Sequence, residues 1–120
     1  MTDDRLKPPP RAPAGLKASG RRLWRSVVGP WELDEHEAQL LLEACRTADQ
    51  LDELFAVVNE HGATLPDGRV RPALTESRQL RLVLARLVAS LRLPEGDQDD
   101  LTGRPQRRGA ARRPYQSTER

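Results

Sequence analysis

Apolar residues fall into three runs with helical spacing, separated by proline and glycine. In the first run, Leu16, Leu23, Trp24, Val27 and Val28 recur every three to four residues until Gly29-Pro30 stops them. This pattern predicts a short helix over residues 16–28, with Ser19 as a candidate N-cap. The second run holds Leu40, Leu41, Ala44, Ala48, Leu51, Phe55 and Val58. Asp34, with Glu37 three residues on, offers a capping-box start, and Gly62 after His61 suits the far end. A helix over 34–61 is about 40 Å long at about 1.5 Å per residue. The third run opens on Pro72, carries Ser77, Leu80, Leu84, Leu87 and Leu91 on a 3.5-residue repeat, and is widened by Leu74, Val83 and Val88. It predicts a helix to about Arg92, ended by Pro94-Glu95-Gly96.

Residues 63–71 centre on Asp67-Gly68 with Thr64, Leu65 and Val70 around it, the composition of a small hairpin or of a plain loop. Residues 1–14 hold four prolines and little that is apolar, so we expect a flexible proline-rich arm. Residues 94–120 are acidic and then arginine-rich, with Gly103, Pro105, Gly109 and Pro114 interrupting any helix, and are expected to form a disordered tail. The expected fold is therefore all-α: a short N-terminal helix, then two long antiparallel helices joined by a hairpin or loop, within a helical domain spanning 15–93. Two antiparallel helices cannot bury both apolar faces alone. Either the first helix covers the surplus or the chains associate into an oligomer, with Leu51, Phe55, Leu80, Leu84, Leu87 and Leu91 as candidate contacts.

Composition supports helix over sheet, because isoleucine is absent and aromatics are 3%, leaving leucine, alanine and valine to build the core. The formal net charge of +2 conceals blocks of opposite sign. Residues 15–30 carry Lys17, Arg21, Arg22 and Arg25 and no acid, a net +4. Residues 31–62 carry nine acids against Arg46, a net −8. Positive charge returns at Arg78, Arg81, Arg86 and Arg92 against Glu76, and again at the end of the tail. Such blocks suit a polyanion at the basic segments and a protein at the acidic helix.

Catalytic chemistry finds no foothold. His36 and His61 lie near opposite ends of one predicted helix, about 37 Å apart at its rise per residue, so they cannot share a metal. Cys45 is the single cysteine and lies in an apolar helical run, where it reads as a buried structural thiol. No glycine-rich phosphate loop occurs, and the acids of the second helix read as a solvated face. We expect no enzyme activity, no metal and no cofactor. No apolar stretch reaches the roughly 18 residues of a membrane span, and residues 1–14 lack an apolar signal-peptide core, so the expected location is cytoplasmic.

The basic clusters carry more. Arg21, Arg22 and Arg25 lie within about a turn of one another, with Lys17 just before them, and are candidate phosphate contacts. Trp24, between them, reads chiefly as the anchor of the first helix in the core. Arg104, Arg107, Arg108, Arg112 and Arg113 form either a nucleic-acid arm or a solubilising tail. Arg78, Arg81 and Arg86 read as partners of the acidic helix, within the chain or between chains.

The order of features resembles the phage terminase small subunit family. It begins with Ala14-Gly15-Leu16 and Trp24, followed by Leu33-Asp34 opening a long helix with Cys45-Arg46, then His61-Gly62 and a turn at Asp67-Gly68. Pro72 then opens a leucine-rich helix that closes on Leu91-Arg92-Leu93-Pro94. The match spans about residues 13–95 and rests on the ordered set. Two positions depart from the family pattern: Arg71-Pro72 stands where Asn-Pro is frequent, and Leu91-Arg92-Leu93 where Leu-Gly-Leu is. The resemblance implies a non-enzymatic DNA-packaging protein of a bacteriophage. Such a protein assembles into a homo-oligomeric ring, binds the packaging site on double-stranded viral DNA, and recruits and regulates the large terminase subunit, which carries the ATPase and nuclease. The rival readings are a small helical DNA-binding transcription regulator, which calls for a recognition helix the pattern does not show, and a helical protein–protein adaptor docking through its acidic helix.

Overall fold

A computed structural model of the chain describes residues 8–94 and 105–108. It contains α1 (Ala18–Val28), β1 (Trp31–Glu32), α2 (Glu35–His61), α3 (Pro72–Leu91) and β2 (Gln106–Arg107). The described fold is all-α, with one two-residue strand pair. Helix α2 is the central element and packs against both α1 and α3. Leu91, at the end of α3, shares a core with Leu41, near the start of α2, so the two long helices run antiparallel.

The start of α2 follows from its first residues. The Asp34 side chain accepts from the Glu37 backbone N–H at 2.9 Å, and the Glu37 side chain accepts from the Asp34 N–H at 2.8 Å. This reciprocal box satisfies two of the donors that a helix start leaves open. Gly62 closes the helix at φ 92, a conformation that suits glycine. The connection is a tight loop with a single antiparallel bridge, Thr64 to Val70, so it is hairpin-like at one rung only. Arg71 straps it down, donating from its guanidinium to the carbonyls of His61 and Gly62 at 2.9 and 2.8 Å. Those are carbonyls at the end of α2, so Arg71 serves as a remote C-cap.

Helix α1 starts one residue before the candidate cap, and the cap is not Ser19. Lys17 is the N-cap and supplies no side-chain bond. Asp49 of α2 does the capping, accepting the backbone N–H groups of Lys17 and Gly20 at 2.7 Å each while only 7% exposed. Ser19 turns outward and donates to Asp52, and the Lys17 ammonium meets Glu53 at 2.7 Å. That carboxylate holds the lysine above its ordinary pKa. The second helix therefore presents a solvated acidic face only in part: Asp49 is buried against the positive end of another helix.

Close approach makes this possible. A Cβ on Gly20 would lie 2.5 Å from Asp49 Oδ2 and 2.9 Å from the Cys45 carbonyl oxygen. The core that results is small and sits at one end of the molecule: Leu16, Trp24, Val27, Val28, Leu41, Cys45 and Leu91. Burial, and secondarily Asp49, pushes the Cys45 thiol up to about 11, so it stays neutral and buried at neutral pH. Beyond this core, α2 and α3 continue as a two-helix hairpin. Leu51, Leu54 and Val58 on α2 and Leu74, Leu80, Leu84 and Leu87 on α3 are half-buried there. The leucine repeat of α3 is thus largely an intrachain seam, and Leu91, 1% exposed, belongs wholly to the chain's own core rather than to a neighbour.

Helix α3 ends on Arg92 at φ 55, ψ 43, the left-handed conformation that glycine adopts without a Cβ penalty. Arg92 is the non-glycine residue that, among the described residues, carries this backbone strain.

Two stability outcomes follow. Gly20→Ala should lower stability by about 1–3 kcal/mol, the usual range for overpacking, because the methyl must displace Asp49 or the Cys45 carbonyl. An unchanged melting curve would refute the close-approach account. Arg92→Gly should raise the thermal midpoint, contributing up to about 1 kcal/mol; a lower midpoint would contradict the assignment of strain to that cap.

Candidate nucleic-acid interface

Anchoring α1 by its N-terminus on Asp49 fixes which of its basic residues are free. Lys17 is engaged by Glu53. Arg22 donates to Ser19 Oγ at 3.0 Å, on the side where Ser19 meets Asp52. Arg21 and Arg25, one turn apart, face the other way. Both line an open groove of about 480 Å³ between α1 and residues 9–12 of the arm. Arg21 donates to the Leu16 carbonyl, which orients its guanidinium. The Arg25 guanidinium has no hydrogen bond or ion pair among the described residues.

Arg11 completes the groove from the opposite wall, alongside Pro9, Pro10 and Ala12. The described end of the arm is docked: the Trp24 indole N–H donates to the Pro10 carbonyl at 3.0 Å, and Ala12 packs on the core. Trp24 itself is 6% exposed, so it is the anchor of α1 and offers no face for stacking on a base. Sequence reasoning missed Arg11 because four prolines marked its neighbourhood as flexible. The signal lies in those same prolines, which stiffen the backbone that carries it.

The tail arginines divide. Arg104, Arg112 and Arg113 lie outside the described residues. Arg107 and Arg108 do not form a free arm. Residues 106–107 pair antiparallel with β1, Trp31 opposite Arg107 and Glu32 opposite Gln106, which corrects the expectation of disorder for this short stretch. The Arg107 guanidinium lies 5.1 Å from the centroid of the Trp31 ring, a cation–π contact. The Arg108 backbone N–H donates to the Pro30 carbonyl. Its guanidinium donates to the Val28 carbonyl at 2.7 Å and to the Trp31 carbonyl at 3.0 Å. A cation placed on the Val28 carbonyl satisfies an acceptor that the end of α1 leaves open and meets the negative end of its dipole, while its second bond holds β1.

The remaining candidates sit elsewhere. Arg78, Arg81 and Arg86 are exposed on α3 and make no ion pair with α2 among the described residues, so of the two pairings expected for them, within the chain or between chains, the one within the chain is not formed. Phe55 is 52% exposed, whereas Leu51, Leu80, Leu84 and Leu87 are half-buried. No group of three or more potential metal ligands occurs among the described residues, and no described helix is long and apolar enough to cross a membrane. No family model, curated protein or solved structure matches the chain.

Replacing Arg108 with alanine should free residues 105–108 from β1 while leaving the three helices intact. The expected result is loss of amide-exchange protection at Arg108 with an unchanged helical circular dichroism spectrum. Protection that survives the substitution would show that the strand pair holds without the guanidinium.

Proposed function

We propose that this chain is a non-enzymatic, oligomeric DNA-binding protein of a viral DNA-packaging system, in the manner of a phage terminase small subunit. The observation that carries the DNA-binding part is the groove face of α1. Arg11, Arg21 and Arg25 surround an open hollow whose lining contains no carboxylate among the described residues, while Asp49, Asp52 and Glu53 of α2 engage Lys17, Ser19 and Gly20 at the start of α1. A surface of arginines segregated from carboxylates is suited to phosphate oxygens, and the guanidinium fork matches their geometry. Double-stranded viral DNA is the proposed partner, with the large terminase subunit as the protein partner.

Self-association rests on a second observation. Leu82 at 56% and Val83 at 39% exposure lie on the outside of α3, among Arg78, Arg81 and Arg86. Phe55, one turn from Asp52, and Val57, one turn from Glu60, lie exposed on opposite sides of α2. The basic apolar face of α3 and either acidic apolar patch of α2 are complementary to each other rather than to themselves. Contacts of that kind are head-to-tail and close into rings when the rotation permits. The oligomer contacts are therefore assigned to Phe55, Val57, Leu82 and Val83, with the half-buried leucines supporting them from within.

Two measurements test this reading. Duplex DNA should bind with an affinity that falls steeply as salt rises, and reversing the charge of Arg21 and Arg25 together should weaken it and lower the salt slope by about 2. Absence of duplex binding at low salt would remove the DNA role and leave the adaptor reading. Native mass spectrometry should show a closed assembly of many subunits, dispersed by Leu82→Glu. A dimer would favour the transcription-regulator class.

A further inference from the structure

We propose that the groove between the proline arm and α1 is a binding site for a single nucleotide unit. Its phosphate would be held by Arg11, Arg21 and Arg25, and its sugar would lie against Pro9, Pro10 and Ala12. The inference rests on the DNA-binding reading for the source of that nucleotide.

Chemistry and dimensions both support it. The hollow holds about 480 Å³, within the range of about 300–1,000 Å³ common for small-ligand sites. Its wall divides into three guanidinium-bearing residues and four apolar ones, Pro9, Pro10, Ala12 and Val28. A bare inorganic anion would leave the apolar part unused, and an apolar ligand would leave the three cations without a counter-charge. A phosphate carried on a sugar uses both parts.

The site is also assembled before any ligand arrives. Rigid prolines set the backbone on either side of Arg11, and the Trp24–Pro10 hydrogen bond ties that backbone to the core. The Arg21 bond to the Leu16 carbonyl aims a second guanidinium. Three cations lining one groove, with no carboxylate among the described residues there, repel one another, and a bound phosphate relieves that repulsion. The closing element is Arg11, which comes from outside the helix and from the far wall.

Arg11→Ala, Arg22→Ala and the unaltered full-length chain separate the outcomes, using two probes: a fluorescent duplex titrated at several salt concentrations, and deoxyadenosine monophosphate titrated while backbone amide shifts are followed. Arg11→Ala should weaken duplex binding about tenfold, as expected for a charge-assisted contact, and lower the salt slope by about 1, with a smaller effect from Arg22→Ala. The nucleotide should shift the amides of Arg11, Ala12, Arg25 and Val28 in the unaltered chain and not in Arg11→Ala. Duplex binding identical in the unaltered chain and Arg11→Ala would overturn the site while leaving the DNA reading in place. Nucleotide shifts at these amides without duplex binding would keep the site and assign it to a free nucleotide, overturning the DNA reading. Neither duplex binding nor shifts would overturn both.

Discussion

Asp49 and Gly20 together set the geometry on which the rest of the molecule depends. A buried carboxylate on the long central helix reaches the open N–H groups at the start of α1, and it can do so because residue 20 has no side chain to hold the helices apart. The bond fixes both the position of α1 along α2 and its rotation about its own axis. Trp24, Val27 and Val28 then fall on the core. Arg21 and Arg25 fall on the groove, and Lys17 and Ser19 fall beside the acids of α2. One buried polar contact thus settles which basic residues are neutralised within the chain and which stay open to a partner.

Local signals in the sequence were legible wherever the physics is local. The Asp34–Glu37 box, Gly62 and Pro72 act on residues three or four positions away, and the bounds of α2 and α3 were read from them to within a residue. Features set by distant partners were not legible. Asp49 looks like any acid on an acidic helix, because the N–H groups that bury it are 29 and 32 residues away. Leu91 fits a heptad seam as well as it fits a core, and only the position of α1 decides between them. Arg108 reads as one more tail arginine until Val28 and Trp31 present their carbonyls to it. Of the interface, α1 supplied a readable cluster, while Arg11 depended on the docking of the arm.

The molecule is polarised as a result. The core, the basic groove and the described part of the tail gather around α1, and the two-helix hairpin extends away from them with its apolar residues only half-covered. Such a division suits the proposed role, with one end facing DNA and the length of the hairpin facing other subunits. It also separates the energetics. In the proposed assembly the hairpin gains burial from its neighbours, whereas the α1 end carries its own closed core.

The tail clip at β1 has a consequence for how the chain folds and breathes. The Arg108 contacts join residues 80 and 77 positions apart, against the 29 to 36 that separate the α1–α2 contacts. Closing the larger loop costs more chain entropy, and the clip gains only a two-residue ladder and a few bonds to one guanidinium. It therefore forms after the helices have docked and opens before they part, a local transition nested inside the global one. Because the clip covers the carboxyl end of α1 and the edge of β1, each brief opening exposes carbonyls and strand edge that are otherwise occupied, on a timescale set by the tail rather than by the stability of the fold.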